Sequence, residues 1–324
     1  MRVTEREKSI YGENVEILLR EEDCTVYRRT DDDGEAVMIA YAVFPGIELV
    51  YHDIHAQSCR LRAMDVENII EIHHCREGRY ECEYGENFCY LTPGDLAVVR
   101  KRDASSSAFY PLSHYHGVSV ILDLDHAPRC LSCFLKDVTV SPHSLAEKFC
   151  TDRSCFIARS DAGIGHIFSE LYNVPESIRR GYFKVKVLEL LLFLSALDTD
   201  RDELEERSCS RAHVLLAKEV GAYLTDHMTD RITLEQLCVR FHVSGTHIKN
   251  SFKSVYGVSV YTYIRTQKMQ AAARMLIRTE RTILEIAGQF GYDNGSKFAG
   301  AFRDVMGMSP GEYRRYGADN MTGK

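Results

Sequence analysis

The sequence predicts a two-domain α+β protein: an N-terminal β-barrel or jelly roll, a helical connector, and a C-terminal all-α domain made of two helix-turn-helix units. Three observations predict it. Residues 37–124 break into short β-branched and aromatic-rich runs separated by turn residues, residues 163–197 switch to a helical period, and residues 233–315 carry one helical pattern twice. At 324 residues and 45% hydrophobic content the chain has material for two cores.

The N-terminal strands are VMIAYAVFPGIELVYHDI, NIIEIHHCREGRYECEYGENFCYLTPGDLAVVR and HYHGVSVILDLD, with Pro-Gly and Tyr-Gly-Glu-Asn turns between them. Many short strands at this spacing indicate a barrel or jelly roll, placed at residues 1–160. Residues pointing inward alternate along each strand, but the pairing register is not readable, so the pocket residues stay unassigned. His114 and His116, at i and i+2 on an expected strand, would share a face and are the metal candidates; His73, His74 and Cys75 add further donors. No glutamate follows His116 within a few residues, so ordinary core or surface histidines are the expectation, with no metal or other cofactor. Cys130 and Cys133 form a single CLSC, a weak zinc or redox signal without a second pair.

Residues 161–198 read as the connector. GIGHIFSELYNVPESIRRGYFKVKVLELLLFLSAL gives two helices broken at Pro175, and Val185 to Leu197 is apolar on more than one face, which calls for packing on the barrel plus a dimer contact. The charged run TDRDELEERSCSR, residues 199–211, reads as a linker.

The C-terminal domain, residues 212–316, is a duplication. Leu234, Leu237, Cys238 and Phe241 form a stripe at i, i+3, i+4 and i+7, and Ile283, Ile286, Ala287 and Phe290 repeat it 49 residues later. Thr233 with Gln236 and Thr282 with Glu285 are capping boxes at the two helix starts. After one extra residue in the second turn the offset becomes 50. It then pairs Ser244 with Asn294, Phe252 with Phe302, Gly257 with Gly307, Ser259 with Ser309 and Tyr263 with Tyr313. Helix, short turn and a second helix capped by Ser244 or Asn294 is the helix-turn-helix layout, whose second helix enters a major groove. The segment from Val260 to about Arg278 lacks Pro and Gly, and as a helix of some nineteen residues spans roughly 28 Å, of the order of one DNA turn. Residues 317–324 read as a tail.

The residues of this repeat are specific. Ile286-Ala287, Gly291-Tyr292, Ser296-Lys297-Phe298, Phe302, Gly307, Ser309-Pro310 and Tyr313-Arg314, with Phe252, Gly257 and the run from Lys268 to Leu276, resemble the DNA-binding domain of the AraC/XylS family of bacterial transcription regulators. The resemblance covers about a third of the chain. The Thr92–Asp95 turn followed by Leu96 to Val99 resembles the cupin-like sensor domains common in that family. The implied protein is a sequence-specific DNA-binding regulator, an activator, with a small-molecule effector in the barrel. Its implied partners are promoter DNA, RNA polymerase and a second copy of the chain as a homodimer.

Periodicity assigns the faces of the recognition helices. Ile248 and Phe252 point inward and leave Thr246, Lys249, Asn250 and Lys253 outward, and the resemblance puts Thr246, Lys249 and Asn250 at base-reading positions. The second helix offers Ser296, Ala299 and Gly300 at the matching sites, so it is expected to act on phosphates or groove shape through Ser296, Lys297, Arg303 and backbone amides. The DNA-binding set is Ser244, Thr246, His247, Lys249, Asn250, Lys253, Asn294, Ser296, Lys297 and Arg303. Cys238, which stands where the second unit has Ala287, reads as a small packing thiol.

Charge agrees with this division. The formal net charge is −7, yet residues 211–324 hold 16 Lys/Arg against 10 Asp/Glu, leaving 24 basic and 37 acidic residues upstream. Only the C-terminal part has the balance of a nucleic-acid binder. No run of eighteen apolar residues and no signal peptide is visible, so the expected location is the cytoplasm, away from any membrane, with the eleven cysteines reduced. Non-enzymatic function is expected. The rival readings are a cupin-type metal-dependent enzyme fused to a DNA-binding module, and a ligand-independent regulator whose barrel serves dimerisation.

Overall fold

The computed structural model describes residues 2–31, 34–60, 68–84, 87–100, 107–131, 140–150, 155–159, 162–197 and 208–321. The chain divides into two compact units, Met1–Ser210 and Arg211–Lys324.

The first unit opens with helix α1 (Glu5–Tyr11), started by a capping box between Thr4 and Glu7. Strands β1 (Val15–Arg20), β2 (Cys24–Asp31), β3 (Gly34–Phe44), β4 (Ile47–Ala56), β5 (Ser58–Arg60), β6 (Ile69–Gly78), β7 (Tyr80–Tyr84), β8 (Asn87–Leu91), β9 (Leu96–Arg100), β10 (Ser107–Phe109) and β11 (Tyr115–Asp123) follow. Helix α2 (Pro142–Phe149), strand β12 (Cys155–Ala158) and helices α3 (Ala162–Ser169) and α4 (Arg179–Ala196) complete it. Eight strands make one antiparallel sheet in the order β1-β2-β3-β4-β11-β6-β9-β12, and β10-β5 and β7-β8 form two smaller sheets. Among the described residues, β1 and β12 are the edges of the large sheet and no pairing joins them into a ring.

Strand β6 shows how the sequence builds this unit. IIEIHHC is buried throughout, the pattern of a central strand covered on both faces. Ile69 and Cys75 belong to a core that also holds Cys59, Cys82, Cys89 and Ala108 of the small sheets. Ile70 and Ile72 belong to a second core with Leu145, Phe149, Ile164 and Phe168 of α2 and α3 and with Phe183, Val187, Leu190, Leu191 and Leu194 of α4. The order is therefore small sheets, large sheet, helices. The tight turns fall where Pro-Gly pairs predict them: Gly46 has φ 68° and a Cβ there would lie 2.6 Å from the Ala127 amide, while Gly94 has φ 91°. At the second turn Asp95 accepts hydrogen bonds from the Thr92 amide (2.9 Å) and hydroxyl (2.7 Å) and from Arg159 (2.6 Å).

Two expectations change. His114 is not part of the strand: Ser113 takes φ 58°, the chain turns there, and β11 begins only at Tyr115, although the His114 and His116 rings still stand 6.4 Å apart. His114 sits with Nδ1 3.2 Å from the Leu112 carbonyl oxygen. The C-terminal tail also differs, because the last helix continues through Met321. The helical break lies at Pro175, between short 3-10 turns at Glu170–Asn173 and Glu176–Ile178. Cys133 and most of the 199–211 linker lie outside the described residues. The end of that linker, Cys209, makes an antiparallel bridge with Phe88 through hydrogen bonds of 2.7 and 2.9 Å.

One buried group makes this unit sensitive to acid. His74 points to the helical side of β6, stacks on Phe168 at 4.1 Å, and neither ring nitrogen has a hydrogen-bond partner among the described residues. Burial lowers its pKa to about 4, against a smaller opposite pull from Asp95. The unfolded chain therefore binds a proton below the usual histidine pKa that the folded chain refuses, and stability falls as pH drops from about 6.5 towards about 4. Urea denaturation at pH 7 and pH 5 is expected to show wild type losing about 2 kcal/mol more than His74→Phe between these values.

Candidate nucleic-acid interface

The second unit is helical: α5 (Arg211–Asp226), α6 (Leu234–Phe241), α7 (Gly245–Tyr256), α8 (Val260–Arg278), α9 (Ile283–Gln289), α10 (Gly295–Met306) and α11 (Pro310–Met321). Each half is assembled in the same way. Thr233 and Thr282 start α6 and α9 with complete capping boxes, to Gln236 and Glu285. The turn after each helix passes through a residue with positive φ, His242 at 55° and Gly291 at 80°. The second turn has five residues against three, because α9 ends one residue sooner than α6 and one residue is inserted, and the recognition helices then start on matched caps. Ser244 accepts from the His247 amide at 3.2 Å; Asn294 accepts from the amides of Ser296 (2.8 Å) and Lys297 (3.2 Å).

Both recognition helices, α7 and α10, run twelve residues and end on a left-handed glycine, Gly257 at φ 74° and Gly307 at φ 77°. Each is fastened to the helix that follows. Phe252 meets Tyr263 edge-to-face at 5.3 Å and 74°, and Phe302 meets Tyr313 at 5.5 Å and 77°. The duplication thus extends to ring geometry. In the first half α5 lies so close to α7 that a Cβ at Gly221 would sit 2.0 Å from the Tyr256 hydroxyl. In the second, Met269, Ala272, Ala273 and Leu276 of α8 share a core with Ile286, Ala287, Phe298 and Phe302. Lys268 donates to the Phe290 carbonyl at 3.2 Å, Arg314 donates to that of Leu276 at 3.0 Å, and Arg265 pairs with Asp304. Helix α8 is nineteen residues long and spans about 28 Å.

Ile248 and Phe252 are buried, and Thr246, His247, Lys249, Asn250 and Lys253 are exposed on the opposite side of α7. On α10 Phe298 and Phe302 are buried while Ser296, Lys297, Gly300 and Arg303 are exposed; Ala299 is half-buried. Lys249, Lys253, Lys297 and Arg303 make no close ion pair with a described residue, though Lys249 lies near enough to Glu235, and Arg303 to Glu312, to help hold those carboxyls below the usual range. Ser244 and Asn294, read as DNA-facing, commit their side-chain oxygens to helix caps, so their first role is to set where the recognition helices begin. Cys238 packs beneath the start of α7, its Sγ 3.4 Å from the place of a Cβ on Gly245.

A family model described as a helix-turn-helix domain matches residues 237–316. The C-terminal domain is an AraC/XylS-type helix-turn-helix domain. The transcriptional regulator YdiP of Escherichia coli K12 is 36% identical over 101 residues, covering 31% of this chain and 33% of that protein. The bifunctional transcriptional activator/DNA repair enzyme AdaA of Bacillus subtilis 168 is 31% identical over 96 residues, covering 30% of this chain and 46% of that one. Among solved structures, the C-terminal domain of AraT, a response regulator from Geobacillus stearothermophilus, is 32% identical over 31% of this chain and 84% of its own, with a TM-score of 0.30. The matched part spans a third to under a half of those two curated relatives.

Residues that sequence reasoning did not bring together lie in the first unit. Asp53 and His55 of β4 meet His116 of β11. The signal was an Asp-x-His beside a His on a neighbouring strand, legible only with the β4–β11 register in hand.

The AraC-type domain depends on its caps for the position of each recognition helix. Asn294→Ala is expected to lower its stability by about 1 kcal/mol and Asn294→Gly by only a few tenths. Urea denaturation followed by helical circular dichroism of the full chain checks this.

Proposed function

We propose that the chain is a sequence-specific DNA-binding regulator of transcription, an activator whose N-terminal domain senses a small molecule. The observation that carries the DNA reading is the pair of equally capped and equally fastened recognition helices with their basic and amide side chains outward. Helix α7 reads bases: Asn250 suits bidentate contact to adenine, Lys249 suits guanine, and the Thr246 methyl suits thymine. Helix α10, with Ala299 and Gly300 at the matching positions, fixes register on phosphates through Lys297, Arg303, Ser296 and the amides at its N-terminus. Promoter DNA, RNA polymerase and a second copy of the chain are the partners in this reading, and the cytoplasm its location. No helix among the described residues is long and apolar enough to cross a membrane.

The sensing role has its own support. The face of the large sheet towards the small sheets carries Glu71 and His73, hydrogen-bonded at 3.0 Å, beside a cluster of Tyr80, Tyr110 and Tyr115 rings. The Tyr115 hydroxyl is buried without a hydrogen-bond partner among the described residues. Such an interior suits a small ligand carrying both ring and polar groups. An effector acts here by binding one arrangement of the domains more tightly than another. For a dimer, Val185 and Leu192 stand exposed seven residues apart on α4, away from its buried stripe.

Competition binding with full-length protein and an enriched genomic site tests the division of labour. Lys249→Ala is expected to relax base preference, losing about 1–3 kcal/mol of discrimination at the base it contacts. Lys297→Ala is expected to weaken all sequences alike and to make the salt slope shallower by about one unit. The reverse assignment of these two effects contradicts the reading.

A further inference from the structure

We propose that Asp53, His55 and His116 form a divalent-metal site on the surface of the N-terminal sheet, suited to a borderline-soft ion of the zinc class. Asp53 and His55 alternate along β4 and so stand on one side of it. Strand β11 runs antiparallel beside it with His116 directly opposite Asp53. The donor atoms already converge: His55 Nε2 lies 2.9 Å and His116 Nδ1 3.3 Å from the same oxygen, Oδ1 of Asp53. All three donor atoms fall within 4.8 Å of one another. Around a tetrahedral zinc at about 2.0–2.1 Å, ligand atoms lie roughly 3.4 Å apart, so the trio needs only small side-chain rotations to close on an ion.

The surroundings favour a built site over a chance meeting. The β6–β11 register shifts between His116 and Gly117, the kind of bulge that re-aims a side chain. The two imidazoles stand 5.3 Å apart, centroid to centroid, close enough to repel when both are protonated and compatible when both are neutral donors to one cation. Side-chain exposures of 55% for Asp53, 61% for His55 and 33% for His116 leave an open path for entry and a free coordination position for water. Two imidazoles and one carboxylate suit zinc, nickel or copper rather than magnesium or calcium. As an exposed ion-pair cluster alone, the same residues contribute little to stability. The site lies on the outside of the sheet and is independent of the effector reading.

The test is titration of chelator-treated full-length protein with Co²⁺, followed by visible absorption, with Zn²⁺ as competitor. One equivalent is expected to bind with visible d–d bands and no thiolate charge-transfer band, and Zn²⁺ is expected to displace it. The double variant His55→Ala/His116→Ala is expected to abolish binding, and Asp53→Asn to weaken it at least about tenfold. Because Asp53 and His55 are exposed and His116 is only half-buried, the variants should keep the wild-type urea midpoint, which separates loss of a ligand from loss of fold. Undiminished binding by the double variant, a thiolate band, or no saturable binding by wild type overturns the proposal.

Discussion

The C-terminal domain depends on one rigid element, α8. Its first turn carries Tyr263, which fixes the end of α7 by an edge-to-face contact with Phe252, and its second half carries Met269, Ala272, Ala273 and Leu276, on which α9 and α10 pack. With Ser259 capping its start and no glycine or proline over nineteen residues, it has no hinge between these two attachments. The relative position of the two recognition helices is therefore set by the rise of one helix rather than by a linker. That gives geometric meaning to a sequence repeat of 49 to 50 residues.

The two recognition helices share a scaffold but not a surface. Phe252 and Phe302, Gly257 and Gly307, and Ser244 and Asn294 are structural equivalents, which keeps the backbone the same. The outward positions diverge: exposed Lys249 and Asn250 against half-buried Ala299 and exposed Gly300. Gly300 costs about 1 kcal/mol relative to alanine within a helix, and nothing lies within 4 Å of the place its Cβ would take, so room exists for a larger side chain. In the proposed reading, the small side chains there leave the helix backbone room to approach a phosphate chain.

Legibility in the sequence followed the range of the interactions. Capping boxes, N-caps and the stripe of α6 and α9 act within eight residues, and each was readable from the chain alone, whereas Gly257 and Gly307 were matched as a pair and only the structure shows them as left-handed caps. The second turn's extra residue was visible as the change of offset. His242 was less legible, because histidine takes the left-handed region far less often than the glycine at the equivalent place, Gly291. The N-terminal unit rests on pairings of distant strands, such as β4 with β11. The strands within residues 37–54, 68–100 and 114–125 were legible as strands, whereas β1, β2, β5, β10 and β12 were not, and the meeting of Asp53 with His116 depends on register, which composition does not encode. His114 was misplaced for a local reason: alternation suggested that the strand included it, whereas the positive φ of Ser113 starts the strand one residue later.

The claim that one rigid helix delivers two reading heads to successive grooves is tested most directly by hydroxyl-radical footprinting of the full-length protein on genomic fragments it selects. The account predicts, for each protomer, two protected patches on one face of the duplex about one helical turn, roughly 34 Å, apart, with base preference concentrated in one of them. A single patch per protomer, or fragments selected without any common sequence, contradicts it.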